Sequence, residues 1–233
     1  MRKIGIIGAM EEEVSILKKH MKDTKVSKIA STEFCEGILE GKQVVVVRSG
    51  IGKVNAAICT QILVDRYQVD AVINTGVAGS LRNEINIGDI VLSTDALQHD
   101  MDATGFGYEA GVIPRMECSI FQADEGLLLK AKKVCSELIP EVGVHTGRVV
   151  SGDQFISDSR KKEWLLQNFA GYCTEMEGAA IAQAAYLNKI PFLIIRAISD
   201  KADQSAEMAY SEFEELAIKN SVTLLTGLVP QLS

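Results

Sequence analysis

The sequence predicts an α/β layered fold with a largely parallel sheet. Short runs rich in Val and Ile alternate with stretches of helical spacing along the whole chain. The 233 residues are 47% hydrophobic and 24% charged, enough for one substantial core in a single domain, 1–233. No linker, repeat or low-complexity tract interrupts them.

The elements follow in order. KIGIIGA (3–9) reads as a buried strand, and EEEVSILKKHMK as an amphipathic helix. STEFCEGILEGKQVVVVRSG has short strands and Gly turns, which suggest one antiparallel hairpin inserted early; QVVVVRSG (43–50) is its second strand. KVNAAICTQILVDRY is helical, and DAVINTG (70–76) and GDIVLST (88–94) are strands. DEGLLLKAKKVCSEL forms a helix before the strand GRVVSG (147–152), and SRKKEWLLQNF another after it. CTEMEGAAIAQAA (173–185) reads as an alanine-rich helix with Glu175 and Glu177 at its mouth. PFLIIRAISD (191–200) is the last strand and YSEFEELAIKNSVTLLTGLV the last helix.

Composition excludes several functions. The net charge is −7 with no long basic run, so nucleic acid and acidic membranes are poor partners. Cysteines 35, 59, 118, 135 and 173 are odd in number and lack CxxC spacing, which suits reduced thiols in a cytoplasmic protein. His20, His99 and His145 lie far apart and form no local metal motif. The N-terminus turns acidic too early for a signal-peptide core, and no stretch is apolar enough to span a bilayer.

In open α/β sheets ligands bind at the carboxyl ends of strands. Five polar clusters follow the predicted strands: 10–13, 49–53, 75–80, 151–155 and 199–200. They should converge. GIIGAMEEE lacks the dinucleotide fingerprint, and three successive glutamates lie about 100° apart on a helix, so only part of the triplet can face a pocket. SGIGKVNAA lacks Walker spacing, though its glycines allow close approach of a ligand or of another backbone. NTGVAGS reads as a glycine turn that either exposes backbone to a ligand or answers to packing. Phe155 in SGDQF could stack on a flat ligand or fill the core. Asp200 ends a buried strand, where a raised pKa would make it a general acid.

Taken together and in order, IGIIGAMEEEV, SGIGKVNAA, INTGVAG, HDMDATGFGYE, VSGDQFI, EMEGAAIA and RAISDKAD resemble the 5'-methylthioadenosine/S-adenosylhomocysteine nucleosidases of the nucleoside phosphorylase superfamily. The resemblance implies a three-layer α/β/α sandwich with a mixed, mostly parallel central sheet. It implies hydrolysis of the N-glycosidic bond of adenine nucleosides with a 5'-thio group, 5'-deoxyadenosine among the further substrates. No cofactor or metal is expected, and the assembly is a homodimer. By the same resemblance Glu13 activates water and Asp200 protonates adenine N7. Glu177 holds the ribose hydroxyls, with Met10 and Met176 lining the sugar and Arg196 orienting the water. Phe155 stacks on the base, Ile156 reads its edge through the backbone, and Ser199 adjoins the acid. Gly79 forms part of the floor, and Tyr210 lines the 5' pocket. Ala103, Phe106 and Pro114 reach the partner subunit's 5' pocket. Val77 stands where the family often has serine, which removes one hydroxyl near the site.

Two rivals remain at this level. A purine nucleoside phosphorylase needs a cationic phosphate pocket, and GAMEEE would repel phosphate. A non-catalytic purine-binding protein would lack the acid or the water-activating glutamate, and both are present.

Overall fold

The computed structural model describes residues 1–232, without the side chains of Glu207 and Ser211. Strand β1 (Lys3–Gly8) opens the fold and runs into helix α1 (Glu11–His20). Next come β2 (Lys22–Ile29), β3 (Thr32–Leu39) and β4 (Lys42–Arg48), joined as antiparallel neighbours. Helix α2 (Lys53–Tyr67) leads to β5 (Ala71–Ser80) and β6 (Ile90–Gln98). A long irregular segment precedes the short β7 (Phe121–Gln122), α3 (Glu125–Leu138), β8 (Val144–Ser151) and α4 (Ser159–Phe169). The chain ends through β9 (Cys173–Glu175), α5 (Gly178–Asn188), β10 (Phe192–Asp200) and α6 (Ala206–Leu228).

The sheet is mixed. β1 lies between β4 and β5, parallel to both, and β5 is parallel to β10. β6 and β8 are parallel to each other, and β8 is parallel to β9. The antiparallel contacts come from the early hairpin and from β10–β6, β5–β9 and β6–β7. One half therefore curls until it closes: β5 pairs β10, β10 pairs β6, β6 pairs β8, β8 pairs β9, and β9 returns to β5.

The two-residue period of a strand puts its neighbours on opposite faces. On β4, Val44 and Val46 join the core beneath α1, α3 and α6, while Val45 and Val47 join the core beneath α2 and α5. Each such side chain, fully buried, contributes roughly 1.5–3 kcal/mol. Burial on both faces explains why the strands read as continuous Val/Ile runs rather than as alternating patterns. This is the expected three-layer sandwich.

Local expectations needed correction in three places. The strand expected to end at residue 76 continues to Ser80, so NTGVAGS is strand rather than turn. Its partners β10 and β9 supply the hydrogen bonds that carry it on. CTE of CTEMEG is strand β9, and the helix begins only at Gly178. The first helix ends at His20, and the lysine-rich stretch after it becomes the edge strand β2, a composition that discourages edge-to-edge pairing.

Candidate active site

The five polar clusters do converge. A cavity of about 210 Å³ is lined from them by Met10, Glu13, Ile51, Val77, Gly79, Phe155, Ser199 and Asp200, and from the β9–α5 junction by Thr174 to Glu177. Ala9, Ala78 and Tyr210 complete it. A wider groove of about 740 Å³ lies between α1 and α6, but it is open and lined by Glu12, Glu212, Glu214 and Glu215. It contains none of the buried acids described next, so the smaller cavity is the chemical site.

Glu13 is the third residue of α1, and only it among the three successive glutamates is buried. Its carboxylate turns back over the start of the helix. Oε2 accepts hydrogen bonds from the Ala9 N–H at 2.6 Å and the Met10 N–H at 3.0 Å, and Oε1 one from the Val77 N–H at 3.3 Å. Burial raises its pKa, against those N–H groups and the charge of Arg196. Gly76 leaves room for it: a Cβ there would stand 2.7 Å from Glu13 Oε1 and 3.3 Å from Arg196 Nη1.

Arg196 comes up from β10 behind the cavity, 1% exposed. Its Nη2 donates to Glu175 Oε2 and to Asn74 Oδ1, and its Nη1 to the Ile195 carbonyl at 3.0 Å. Glu175 is saturated from other sides too, by the Ser151 hydroxyl and by the N–H groups of Glu177 at 3.2 Å and Gly178 at 2.8 Å. It borders the cavity, but both of its oxygens already accept hydrogen bonds from within the protein.

Glu177 differs. It caps α5 without bonding that helix, and its Oε1 accepts only the Gly52 N–H, at 2.8 Å. Burial first, and then the charge of Glu175, push its pKa up to about 7. Its remaining acceptor capacity is open to a ligand.

Asp200 ends β10 at the other end of the cavity. Its Oδ1 accepts the Ala202 N–H at 2.7 Å, and its Oδ2 bonds the Ser199 hydroxyl at 2.9 Å. Burial raises its pKa. A Cβ at residue 79 would lie 2.6 Å from Asp200 Oδ1, so Gly79 is the only residue type that leaves this carboxyl in place.

Phe155 is half exposed at the mouth and meets Tyr210 edge-on, ring centroids 6.2 Å apart. The Tyr210 hydroxyl lies 2.9 Å from Glu214 and 3.4 Å from Met10 Sδ. The side chain of Ile156 packs into a small core with Leu165 and Phe169 rather than into the cavity, leaving only its backbone beside Phe155. Ala103 is buried, Pro114 half-buried and Phe106 almost fully exposed; none of the three lines the cavity. Ile51 and Ala78 fall inside the 49–53 and 75–80 clusters without having been singled out; the sequence reading missed Ala9 and Thr174 as lining residues, and Asn74 as the anchor of Arg196. Only Asn74 carried a local signal, a lone amide in the buried run DAVINTG.

Comparison with known proteins bears on this geometry. A family model described as the phosphorylase superfamily matches residues 3–230. A 5'-methylthioadenosine/S-adenosylhomocysteine nucleosidase of an Exiguobacterium species is 45% identical over 231 residues, covering 99% of this chain and 98% of that one. The chain belongs to this nucleosidase family. Solved nucleosidases share its shape. That of Neisseria meningitidis, in complex with methylthio-immucillin-A, superposes with a TM-score of 0.96 at 37% identity over the whole of both chains. That of Colwellia psychrerythraea, in complex with adenine, gives 0.95 at 43% identity, covering 99% of this chain and 96% of that one. Among the described residues, no group of three or more His, Cys, Asp or Glu side chains is placed to hold a metal ion.

Proposed function

We propose that this protein hydrolyses the N-glycosidic bond of 5'-methylthioadenosine and S-adenosylhomocysteine, and of 5'-deoxyadenosine, releasing adenine and the 5'-substituted ribose. One observation carries the mechanism: two buried carboxyls with raised pKa values flank one cavity. They are set apart by β5, where Gly76 faces Glu13 and Gly79 faces Asp200. Three residues of strand span about 10 Å, room for a nucleoside between them.

Asp200 holds a proton and gives it to N7, so that adenine leaves as a neutral base. The sugar becomes oxocarbenium-like as the bond breaks. Glu177 accepts the ribose hydroxyls and stabilises that positive charge. Glu13 takes a proton from the water that attacks C1'. Arg196, whose charge bears on Glu13, helps to orient that water, and through Glu175 it holds the β9–α5 junction in which Glu177 stands. Phe155 stacks on the base, the backbone of Ile156 reads its edge, and Met10, Met176 and Tyr210 line the sugar and its 5'-thio group.

The test is product analysis on 5'-methylthioadenosine with and without phosphate. Adenine and free 5-methylthioribose at equal rates in both buffers are expected. A sugar 1-phosphate formed only with phosphate would instead make the protein a phosphorylase.

The working unit in this proposal is a single domain acting as a cytoplasmic homodimer. Buried thiols at Cys59 and Cys135, pushed up to about 12 and about 11 by burial, suit a reducing compartment. No helix among the described residues is long and apolar enough to cross a membrane. Phe106 is 88% exposed and Val54 69%, and Ile51, Ile58, Tyr108 and Leu187 are also uncovered. A second copy would bury them, and would bring Ala103, Phe106 and Pro114 to the neighbouring 5' pocket. Sedimentation at micromolar concentration should show a dimer, weakened by Phe106→Glu together with binding of 5'-alkylthio nucleosides. A fully active monomer would refute the shared site.

A further inference from the structure

Thr174 is 5% exposed, lines the nucleoside cavity, and has no hydrogen-bond partner for its hydroxyl among the described residues. A buried hydroxyl left unpaired is costly, so such groups normally have a partner. Its position shows which part of a ligand could be that partner. On β9, Thr174 stands directly opposite Gly79 of β5. Residues directly opposite in an antiparallel pair project to the same face, with Cβ positions about 4.5–5.5 Å apart. The Cβ direction of Gly79 points at Asp200 Oδ1. The threonine side chain and the Asp200 carboxyl therefore share one face, at the base end of the cavity. Cys173 and Glu175, its neighbours on β9, project the other way, into the core and toward Arg196.

We propose that Thr174 is a specificity-determining residue, whose hydroxyl makes a hydrogen bond to the edge of the bound purine beside the contact made by Asp200. This rests on the nucleosidase reading above. The hydroxyl both donates and accepts, so it fits an edge carrying an amino group next to ring nitrogens. It contributes to affinity for the base whatever the 5' substituent. The glycine opposite is what makes the contact possible, because any side chain at 79 would close the space between the two groups.

The experiment compares Thr174→Val, which removes the hydroxyl and keeps the shape, with Thr174→Ser, which keeps the hydroxyl. Calorimetric titration with adenine should show Thr174→Val binding about three- to tenfold more weakly, the equivalent of one neutral hydrogen bond. Thr174→Ser should stay near wild type. The KM for 5'-methylthioadenosine should rise in Thr174→Val by a similar factor. The melting temperature of ligand-free Thr174→Val should hold or rise, because an unpaired buried hydroxyl has been removed. Equal adenine affinity in Thr174→Val and wild type would overturn the proposal. So would a lower ligand-free melting temperature with unchanged affinity, which would mark a structural hydroxyl. A loss confined to the nucleoside, with adenine unaffected, would put the hydroxyl on the sugar and also overturn it. If wild type itself neither binds adenine nor cleaves 5'-methylthioadenosine, the nucleosidase reading fails first, and this contact with it.

Discussion

The two ends of the cavity place their buried carboxyls among different partners. At the sugar end, Glu13, Glu175 and Glu177 surround a single guanidinium, Arg196, which is buried and paired with Glu175. At the base end, Asp200 hydrogen-bonds neutral groups, the Ser199 hydroxyl and the Ala202 N–H, while the charges of Asp203 and Lys162 act on it without a direct ion pair among the described residues. Burial raises the pKa of Glu13, Glu177 and Asp200. What separates them is the neighbourhood. Arg196 offsets part of the burial cost at Glu13 and Glu177, whereas the cation that bears on Asp200 is Lys162; in the proposed reaction the first end would face the developing oxocarbenium and the second would keep the proton for adenine. Glu13, Glu177 and Asp200 all keep raised pKa values, and what differs between the two ends is the set of groups each carboxyl faces.

The largest effect that would break this contrast is on stability. Arg196→Met leaves Glu175 buried without a counter-charge, and breaking such a pair costs about 3–5 kcal/mol. Urea unfolding should show a loss of that size, and Glu175→Gln, which leaves the buried Arg196 guanidinium without its ion-pair partner, should cost a comparable amount. A variant as stable as wild type would show that Arg196 is not the group neutralising the sugar end.

Catalysis comes next. Asp200→Asn should lower kcat on the order of a hundredfold or more while the fold stays intact, and Glu13→Gln should do the same. Glu11→Gln and Glu12→Gln, on the exposed side of α1, should remain close to wild type. Near-normal turnover in Asp200→Asn, or a dead Glu12→Gln, would reverse the assignment of roles to the two ends.

The smallest effect sharpens the role of Glu177. Its folded pKa, about 7, lies above the ordinary 4.5. The folded chain therefore keeps a proton that the unfolded chain has released. This contribution to stability is fully present below about pH 4.5 and is lost as pH rises through about 7. Glu177→Gln should flatten that decline when urea midpoints are followed across the window. An unchanged slope in the variant would show that Glu177 does not carry the proton.

Much of this arrangement was legible in the sequence, and the exceptions have one cause. The helices α2 and α4 run over KVNAAICTQILVDRY and SRKKEWLLQNF as the spacing predicts. Helical spacing and Val/Ile runs are local properties, read within one or two turns or strands. Asp200 was legible for the same reason, as a charge ending the apolar run FLIIRAISD. β9 and the second half of β5 were not. Neither has a strong strand pattern of its own; each exists because distant strands present hydrogen-bonding edges to it.

By itself, then, the sequence determined the order of elements, the side of the sheet where the polar clusters fall, and the residue types available for acid and base. The tertiary structure decided which of them meet. Closure of the β5–β10–β6–β8–β9 ring puts Thr174 opposite Gly79, and the packing of α1 on the sheet turns Glu13 inward while Glu11 and Glu12 face water. Arg196 is seated between Asn74 and Glu175, behind the end of the cavity that holds Glu13 and Glu177. Those outcomes depend on pairings between residues far apart in the chain, whose energies no local window contains, and it is these pairings that set what surrounds each carboxyl.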